Sequence, residues 1–297
     1  MLEFHDITLE DRDWMQPLLD VSSYRSEEYS FTFSYLWRDI FRYQVARMDD
    51  FLLLRSVREK HPVSYLFPPG KGDIRPVLEA LLADSEAKGE SLTFHAMTAE
   101  GKLLLEETMP GKFQFITLTD YFDYVYEAEK LITLSGKKLS NKRNHINRFV
   151  ENNPDWRFEP IGGENIAEVI AMNEEWKQRH IDDHSSSFAQ ESDAVDEAIR
   201  DFQHLGMDGG LIRAGGEVVA FSIGDRLTDD TYLVHIEKAY SDVQGAYAII
   251  NREFAAHYCN DYRYINREDA SGQAGLIKAK ESYRPVFLVE KFGAKCL

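Results

Sequence analysis

The chain has 297 residues, 43% of them hydrophobic, and its 51 acidic and 34 basic residues give a formal net charge of −17. That apolar content excludes an intrinsically disordered chain, and the net acidity excludes a general nucleic-acid binder, because polyanions bind clustered positive charge. The length indicates about two domains. Two cysteines, Cys259 and Cys296, are too few for a disulfide scaffold. The N-terminus lacks the apolar core of a secretory signal, and no run approaches the roughly 18 apolar residues of a transmembrane helix. We therefore expect a cytoplasmic protein without a transmembrane segment.

Segments with helical and strand-like apolar patterns follow one another through the first half of the chain. Helices are predicted over residues 29–40 and 73–88 and, shorter, near Leu103. Strands are predicted over residues 41–46, 51–56, 63–67, 92–97 and 113–118. The first two strands flank the polar turn at Asp49 and Asp50, which indicates a hairpin. These segments predict an N-terminal domain over residues 1–135.

A basic helix separates this domain from the rest of the chain. It is predicted over residues 137–150, after Gly136 and before Pro154, so we assign residues 136–153 to a junction and 154–297 to a C-terminal domain. The elements predicted in that domain are strand 156–160, helices 165–180 and 189–204, a hairpin of 210–213 and 218–224, strand 232–239, helix 245–257, strand 262–266, helix 272–282 and strand 286–291. This order indicates an α+β fold of the GNAT acyltransferase type, in which a mixed sheet opens midway.

Polar and basic side chains share one face of the basic helix: Lys137, Lys138, Asn141, Lys142, His145 and Arg148. The helix carries five Lys and Arg residues and no acid. The rest of the chain has 29 basic and 51 acidic residues, a net charge of −22. A concentrated basic face on an acidic protein predicts a site for phosphates or an RNA end. The alternative is a solvated helix whose charges pair with acidic neighbours.

Strand 232–239 contains an acid/base candidate. Alternation puts His235 and Glu237 on one face of the strand, where they can serve a cleft, although the same pattern fits the wet face of a sheet. We expect Glu237 or Glu268 to be the general base and backbone or lysine donors to stabilise the oxyanion. The acceptor would attack the acyl group directly, since no activated nucleophile for a covalent intermediate is visible.

The start of the predicted helix 245–257 is a candidate phosphate site, because a helix N-terminus presents free N–H groups and a positive dipole end. Gln244, Gly245 and Ala246 match the coenzyme A loop of ordinary GNAT enzymes only in part. Along the helix itself, Tyr247 is most simply a core residue.

A polar cluster follows the next strand, at an end where clefts of α/β layouts often form. Its members are Asn266, Arg267, Glu268 and Asp269, and Lys278 and Lys280 lie on the helix beyond. The alternative is that Asp269 or Ser271 merely caps that helix.

A metal site is a weaker hypothesis. His180 and His184 are four residues apart, which can place both on one helical face with Asp182 or Asp183 as a third ligand. The segment lacks the glutamate spacing of a zincin, and no P-loop, dinucleotide fingerprint or nucleophile elbow occurs. We therefore expect no metal.

Five segments together resemble a known family: YSFTFSYLWR (29–38), KKLSNKRNHINRF (137–149), HIEKA (235–239), GAYAIINREFA (245–255) and YINREDASGQAGLIKAKESYRP (264–285). The chain resembles, over nearly its whole length, the bacterial DUF2156 family, which is grouped with the C-terminal catalytic domain of phosphatidylglycerol lysyltransferase. Its likeness to the lysyltransferase itself is at the level of the fold. The chain departs from the family pattern at Ala270, where an acidic residue is common, and at Ile277, where arginine is common. Those departures indicate a lost activity or a changed substrate.

The resemblance implies tandem GNAT-like domains, each a mixed, mostly antiparallel sheet flanked by helices, similar to the FemABX peptidyltransferases. It further implies transfer of an aminoacyl group from aminoacyl-tRNA to an amine or hydroxyl acceptor. Lys138, Lys142 and Arg148 would meet phosphates, while His235, Glu237 and the cluster at 266–269 would line the cleft. The full set of predicted substrate-binding residues is Lys138, Lys142, His145, Arg148, Lys238, Gln244, Gly245, Tyr247, Asn251, Asn266, Arg267, Asp269, Lys278, Lys280 and Tyr283.

Two other functions fit the same residues. One is a coenzyme A-dependent N-acetyltransferase, with acyl-CoA as the co-substrate. The other is a non-catalytic GNAT-like module that binds an anionic ligand or a tRNA acceptor end. The acceptor would be a small molecule, a peptide or a lipid.

Overall fold

The computed structural model describes residues 2–180 and 186–297. The strands there are β1 (His5–Asp6), β2 (Tyr43–Met48), β3 (Phe51–Ser56), β4 (Ser64–Leu66), β5 (Thr93–Thr98), β6 (Phe113–Thr117), β7 (Asp123–Glu127), β8 (Arg157–Pro160), β9 (Asp208–Ala214), β10 (Glu217–Arg226), β11 (Thr231–Ala239), β12 (Tyr264–Asn266), β13 (Phe287–Val289) and β14 (Lys291–Cys296). The α-helices are α1 (Arg12–Ser22), α2 (Phe31–Leu36), α3 (Arg38–Phe41), α4 (Arg75–Ala87), α5 (Ala99–Thr108), α6 (Ala128–Thr133), α7 (Ser140–Asn152), α8 (Ile166–Arg179), α9 (Ser186–Arg200), α10 (Ala246–Tyr258) and α11 (Ala274–Glu281). Most predicted elements are recovered within a few residues, whereas β1, α1, α6, β7 and β14 were not predicted as separate elements.

Contacts divide the chain into two compact units. The first comprises Met1–Asp123, Asp269–Gln273 and Leu288–Leu297, and the second comprises Tyr124–Glu268 and Ala274–Phe287. This division differs from the predicted boundaries at residues 135 and 153, because the basic helix belongs to the second unit and the last strand belongs to the first. Apolar periodicity identifies a strand but does not report which sheet the strand joins.

The first unit is built on a seven-stranded sheet in the order β1-β2-β3-β4-β5-β14-β6. β4 and β5 run parallel, and the other neighbours are antiparallel. Helix α4 contributes Val77, Leu78 and Leu81 to the core at the spacing of one helical face, and all three are buried. The apolar pattern that predicted this helix therefore also identified the face it buries.

The second unit has its own seven-stranded sheet, in the order β13-β7-β12-β11-β10-β9-β8. β11 and β12 run parallel and pair only between Thr231–Leu233 and Tyr264–Asn266. β8, β9, β10 and β11 are joined by antiparallel pairing, as are β12 and β7. Two mixed sheets flanked by helices confirm the predicted α+β class, and the short parallel pairing gives the second sheet the predicted opening.

The two sheets follow one plan with an exchange of strands. Counted from β1 and from β8, each has its parallel pair at the fourth and fifth positions. In each, the sixth strand comes from a distant part of the chain: β14 in the first sheet and β7 in the second. We call β7 and β14 the exchanged strands. Each is antiparallel to the fifth strand of the sheet it completes.

A buried charge cluster lies in the first unit at the start of β14. The ammonium of Lys291 is 2.8 Å from Glu27, 2.8 Å from Glu28 and 2.6 Å from Asp123, and its side chain is fully buried. The three carboxylates lie within 4.8 Å of one another, a spacing that can also hold a metal ion, but here they meet Lys291. Burial raises the pKa of Glu28 to about 7, a rise that Lys291 limits and Asp123 reinforces. We call these four residues the Lys291 cluster.

Candidate active site

The opening between β11 and β12 contains polar side chains from both strands. Beyond Leu233, the rest of β11 has no pairing with β12 among the described residues. Glu237 lies in this unpaired part, and Arg267 directly follows β12. Side chains at the carboxyl ends of parallel strands converge on a cleft, so the topology brings together two residues that are 30 positions apart in sequence.

Glu237 joins two other side chains in this opening. Arg267 donates from Nη2 to Glu237 Oε1 at 2.9 Å, and Asn251 of α10 donates from Nδ2 to Glu237 Oε2 at 2.9 Å. The side chains of Arg267 and Glu237 are only 11% and 12% exposed. We call these three residues the Glu237 cluster. Both carboxylate oxygens of Glu237, which the sequence predicts as a general base, therefore accept a hydrogen bond.

Two buried atoms of the Glu237 cluster make no hydrogen bond of normal geometry within the described residues: Arg267 Nη1, a donor, and Asn251 Oδ1, an acceptor. The Arg267 guanidinium also interacts with the Tyr126 side chain. A buried polar group left unpaired costs about 1–3 kcal/mol, so such atoms are uncommon without a function. The pair is complementary to a ligand that offers one acceptor and one donor.

Aromatic rings and a lysine border the cluster. The Arg267 guanidinium lies 4.9 Å from the ring centroid of Tyr283 and 5.7 Å from that of Tyr126. Lys142, from the first turn of α7, places its ammonium 3.7 Å from the Tyr283 centroid. Burial and repulsion by Arg267 lower the pKa of Lys142 to about 8, against the attraction of Glu237. Thus, in the second unit, the Tyr283 ring contacts both Lys142 and Arg267 of the Glu237 cluster.

His235 belongs to a different polar cluster from Glu237. The register of β10 and β11 shifts at this point, so that Ile223 faces Ile236 while Gly224 faces Val234, which makes His235 the extra residue of a β-bulge. Glu237 faces Ser222, whereas His235 Nε2 bonds to Asp225 Oδ1 at 3.1 Å. Positions 222 and 225 lie on opposite faces of β10, so the predicted placement of His235 and Glu237 on one face is wrong.

The second partner of His235 is Glu268, whose Oε1 is 2.8 Å from His235 Nδ1. Burial lowers the pKa of His235, but Asp225 and Glu268 outweigh it and raise the pKa to about 10. The ring is therefore an imidazolium that donates to both carboxylates. Glu268 has a left-handed backbone (φ +58°), and Lys280 donates to the carbonyl oxygens of Arg267 and Glu268 at 2.5 and 3.1 Å. These contacts position Glu268, and the charged ring of His235 bridges Asp225 and Glu268.

Raising the pH from 6.5 to 10 is expected to remove the stabilisation that His235 contributes. An unfolded histidine loses its proton near 6.5, whereas folded His235 keeps it to about 10. The stabilisation by His235 is therefore fully present below pH 6.5. Between pH 6.5 and pH 10 it falls by about 1.4 kcal/mol per pH unit. Urea denaturation at pH 6.5, 8 and 9.5 should show a difference in unfolding free energy between wild type and His235→Gln that shrinks as the pH rises. His61→Gln, the same change at an exposed histidine, is measured alongside as the control. A constant His235→Gln difference would contradict the charged ring.

The remaining predicted residues lie outside the Glu237 cluster. Lys138, Arg148, Gln244 and Lys278 are exposed, Tyr247 is 39% exposed, and His145 is half-buried. Lys238 pairs with Glu191 and lies 3.8 Å above the ring of Trp176. Asn266 is buried and accepts the Glu268 N–H at 2.7 Å. Asp269 lies in the first unit, where its N–H bonds to Glu27 and its carboxylate to Ser271. Ala270 is buried, and Ile277 is half-buried.

The basic helix divides into two parts in the structure. Lys137 and Lys138 lie in a 3₁₀ turn ahead of α7 and are exposed, as is Arg148, and none of the three has an ion pair among the described residues. Arg143 instead donates to the carbonyl oxygens of Leu134 and Gly136. The exposed part keeps the character of a candidate anion site, while Lys142 turns toward the Glu237 cluster.

The start of α10 is closely approached by α7. An added Cβ at Gly245 would lie 2.4 Å from the His145 carbonyl oxygen and 3.0 Å from Phe149 Cβ, and Gly245 has φ +87°. The N–H of Ala246 is already bonded to Val243 at 3.1 Å. Helix α7 therefore packs against the start of α10, where the sequence predicts a phosphate site.

Replacing Gly245 by alanine is expected to destabilise the protein by about 2–4 kcal/mol, because the new Cβ adds a left-handed strain to a backbone clash. Thermal and urea denaturation measure the effect. Gly275→Ala is the matched control, since Gly275 lies in α11 with nothing within 4 Å of the added Cβ. That variant should be neutral or slightly stabilised. Equal stability of the two variants would contradict the close approach of α7.

Two contributors were missed by sequence reasoning. Asp225 is the penultimate residue of β10, and an acid directly after the mostly apolar run of residues 218–224 was the available signal. Tyr126 lies in β7, whose alternating DYVYE sequence was not assigned as a strand.

Of the predicted metal ligands, Asp182, Asp183 and His184 lie outside the described residues. The ring of His180 stacks on that of Trp176, with the two ring centroids 4.0 Å apart.

Fold and site together define a two-unit α+β protein with one mixed sheet per unit and a buried Glu–Arg–Asn cluster at the open parallel pair of the second. Residues 21–295 match the family described as "Phosphatidylglycerol lysyltransferase, C-terminal". The chain belongs to this family, as its resemblance predicted. Family and fold suggest an acyltransferase-like activity.

Several known proteins are similar to the chain. A conserved protein of unknown function from Bacteroides thetaiotaomicron is 37% identical, with full coverage of both chains and a TM-score of 0.95. The C-terminal domain (DUF2156) of a protein assigned as a lysylphosphatidylglycerol synthetase from Agrobacterium fabrum has a TM-score of 0.68 at 12% identity, covering 96% of this chain and 91% of that one. The L-PGS of Bacillus licheniformis has a TM-score of 0.67 at 16% identity, covering 96% and 92%. An uncharacterised protein of Mycoplasmoides gallisepticum is 26% identical over 186 residues, a match that covers 59% of this chain and 56% of that protein. The chain therefore spans little more than half the length of this relative.

Among the described residues, no helix is both long enough and apolar enough to cross a membrane.

Proposed function

We propose that the protein transfers an aminoacyl group from aminoacyl-tRNA to an amine or hydroxyl acceptor, with the reaction at the Glu237 cluster. The acceptor attacks the carbonyl carbon of the aminoacyl ester, the new C–N or C–O bond forms, and the ester bond to the ribose oxygen breaks. The name of the family, a lysyltransferase, supports this chemistry. Aminoacyl-tRNA is a cytoplasmic substrate, so the proposal also implies that location.

The observation that carries the proposal is the pair of unpartnered atoms in the Glu237 cluster. Arg267 Nη1 is a charged donor suited to the carbonyl oxygen of an ester, where negative charge develops during attack. Asn251 Oδ1 is an acceptor suited to the α-ammonium of an aminoacyl group. An acetyl group has no such donor, so the pair favours an aminoacyl over an acetyl substrate.

The exposed basic residues support a tRNA donor. Lys137, Lys138 and Arg148 lie on the same segment that delivers Lys142 to the Glu237 cluster, and phosphates along an RNA end would meet them. Coenzyme A is less well supported, because α7 packs against the start of α10.

Incubation with labelled aminoacyl-tRNA, and separately with acetyl-CoA, tests the proposal against both alternatives. The acceptors offered are amino acids, dipeptides and phosphatidylglycerol vesicles, and deacylated tRNA is the control donor. We expect loss of the aminoacyl ester with formation of product. Thermal stabilisation by acetyl-CoA with acetyl loss would replace the proposal by an acetyltransferase. Stabilisation by deacylated tRNA without any transfer would replace it by a binding module.

A further inference from the structure

The acidic and imidazole candidates for a general base are all held in ion pairs or hydrogen bonds. Glu237 accepts from Arg267 and Asn251, and Glu268 is bonded to the imidazolium of His235. Taking up a proton at either carboxylate would weaken its bond to a buried cation. His235 is already protonated and donates through both nitrogens. The acceptor's proton therefore needs another destination in this cleft.

Lys142 differs from the other lysines around the site. Lys238 is paired with Glu191, and Lys280 is bonded to two carbonyl oxygens. The half-buried ammonium of Lys142 contacts the Tyr283 ring and has no hydrogen-bond or ion-pair partner among the described residues. Its nitrogen is thus free to accept a proton from a substrate.

The groups around Lys142 favour its neutral form. Arg267, at the end of β12, repels the ammonium, whereas Glu237 of β11 attracts it and is itself neutralised by Arg267. Tyr283 and Tyr126 are uncharged because burial raises the pKa of each phenol, and α10 contributes the uncharged Asn251. With a pKa of about 8, roughly half of Lys142 is neutral at pH 8, compared with less than about 1% of an ordinary lysine.

We propose that Lys142 is the general base of the transfer, its neutral amine taking the proton from the acceptor as the acceptor attacks the aminoacyl carbonyl. The ammonium then returns that proton to the ribose oxygen as the ester bond breaks, so the lysine is regenerated neutral. This inference rests on the proposed function. It assigns to Lys142 a catalytic role in place of the phosphate contact predicted from the sequence.

The first test is the pH dependence of transfer from aminoacyl-tRNA, between pH 6.5 and 9.5, to the acceptor used by the wild-type protein. The wild-type rate should rise with a midpoint near 8. Lys142→Arg, which stays charged, should lose this rise and reduce kcat about 100-fold or more, with a smaller change in KM. Lys142→Ala should regain part of its rate with added ethylamine. Lys130→Arg, at an exposed lysine of α6, is the control and should match the wild type.

The second test needs no transfer. Limiting acetic anhydride is added across pH 6.5–10.5, and acetylation of each lysine is followed by mass spectrometry. Lys142 should react with a midpoint near 8, and the exposed Lys137 and Lys138 are followed in the same samples as reference lysines. A Lys142 midpoint that matches those of Lys137 and Lys138 overturns the inference.

The two tests distinguish a wrong assignment of Lys142 as the base from a wrong proposed function. If the wild type transfers and Lys142→Arg keeps the rise near pH 8, the inference is wrong and the proposed function stands. If the wild type transfers no aminoacyl group to any acceptor, the proposed function is wrong and the base role falls with it.

Discussion

Replacing Arg267 by lysine is expected to lower kcat/KM of aminoacyl transfer by about 100-fold or more. Lysine keeps the charge that pairs with Glu237 but lacks the fork that lets Arg267 bond Glu237 through Nη2 and present Nη1 at the same time. Since Nη1 would bind the oxygen on which charge develops, most of the loss should appear in kcat. Steady-state kinetics with aminoacyl-tRNA measure it.

Two controls make the Arg267 result interpretable. Arg200→Lys changes an arginine that is 66% exposed at the end of α9 and should leave the kinetics unchanged. Urea denaturation shows whether Arg267→Lys is still folded, because the Glu237 cluster is buried. A folded Arg267→Lys protein with kcat/KM within about threefold of the wild type would contradict the assignment.

Replacing Lys291 by methionine is expected to lower the free energy of unfolding by about 3–5 kcal/mol. Methionine keeps the length of the side chain but removes the cation that faces Glu27, Glu28 and Asp123, so three buried carboxylates are left to repel one another. Chemical denaturation at pH 8 measures the loss. Because Lys291 lies in the first unit, the effect is expected regardless of the activity of the second.

The matched control is Lys295→Met on the same strand, where the side chain is exposed and the change should stay within about 0.5 kcal/mol. Acid provides a further check. The pKa of Glu28 is raised above its unfolded value, so protonation stabilises the folded state below about pH 7 and more strongly toward 4.5. Because Lys291 limits this rise in pKa, protonation should stabilise the folded Lys291→Met protein more than the wild type, and the deficit of Lys291→Met should shrink between pH 8 and pH 5.5. A deficit of less than 1 kcal/mol at pH 8 would show that Lys291 is not required.

The sequence predicted those helices and strands that are specified by apolar spacing or turn residues within one short stretch of chain. Helix α4 and the hairpin of β9 and β10 follow from apolar spacing and from the turn at Gly215 and Gly216. β14 was missed because its sequence, KFGAKC, is short and carries two lysines. Its place between β5 and β6 depends on backbone pairing with residues almost 200 positions away. No local pattern contains that information.

In the candidate site as well, the sequence identified the residue types but not the contacts between them. Glu237, Asn251 and Arg267 were each identified as residue types suited to a cleft, but their mutual hydrogen bonds depend on how far β12 extends beside β11. Strand alternation gave the wrong partner for His235, because one bulge residue reverses the faces beyond it. The charge pattern identified the basic helix and could not tell which lysine is half-buried. Lys142 becomes distinct only through the neighbours that Arg267 and Tyr283 provide.

The exchanged strands have a consequence for synthesis of the chain on the ribosome. β14 is translated about 170 residues after β6, so at 5–20 residues per second the gap between β5 and β6 stays unfilled for roughly 10 to 35 seconds. During that time two strand edges of the first sheet expose unpaired N–H and C=O groups. Chains made close together on one polysome are therefore expected to exchange β14 with one another. The product of that exchange would be a domain-swapped dimer, in which the β14 of each chain completes the first sheet of the other.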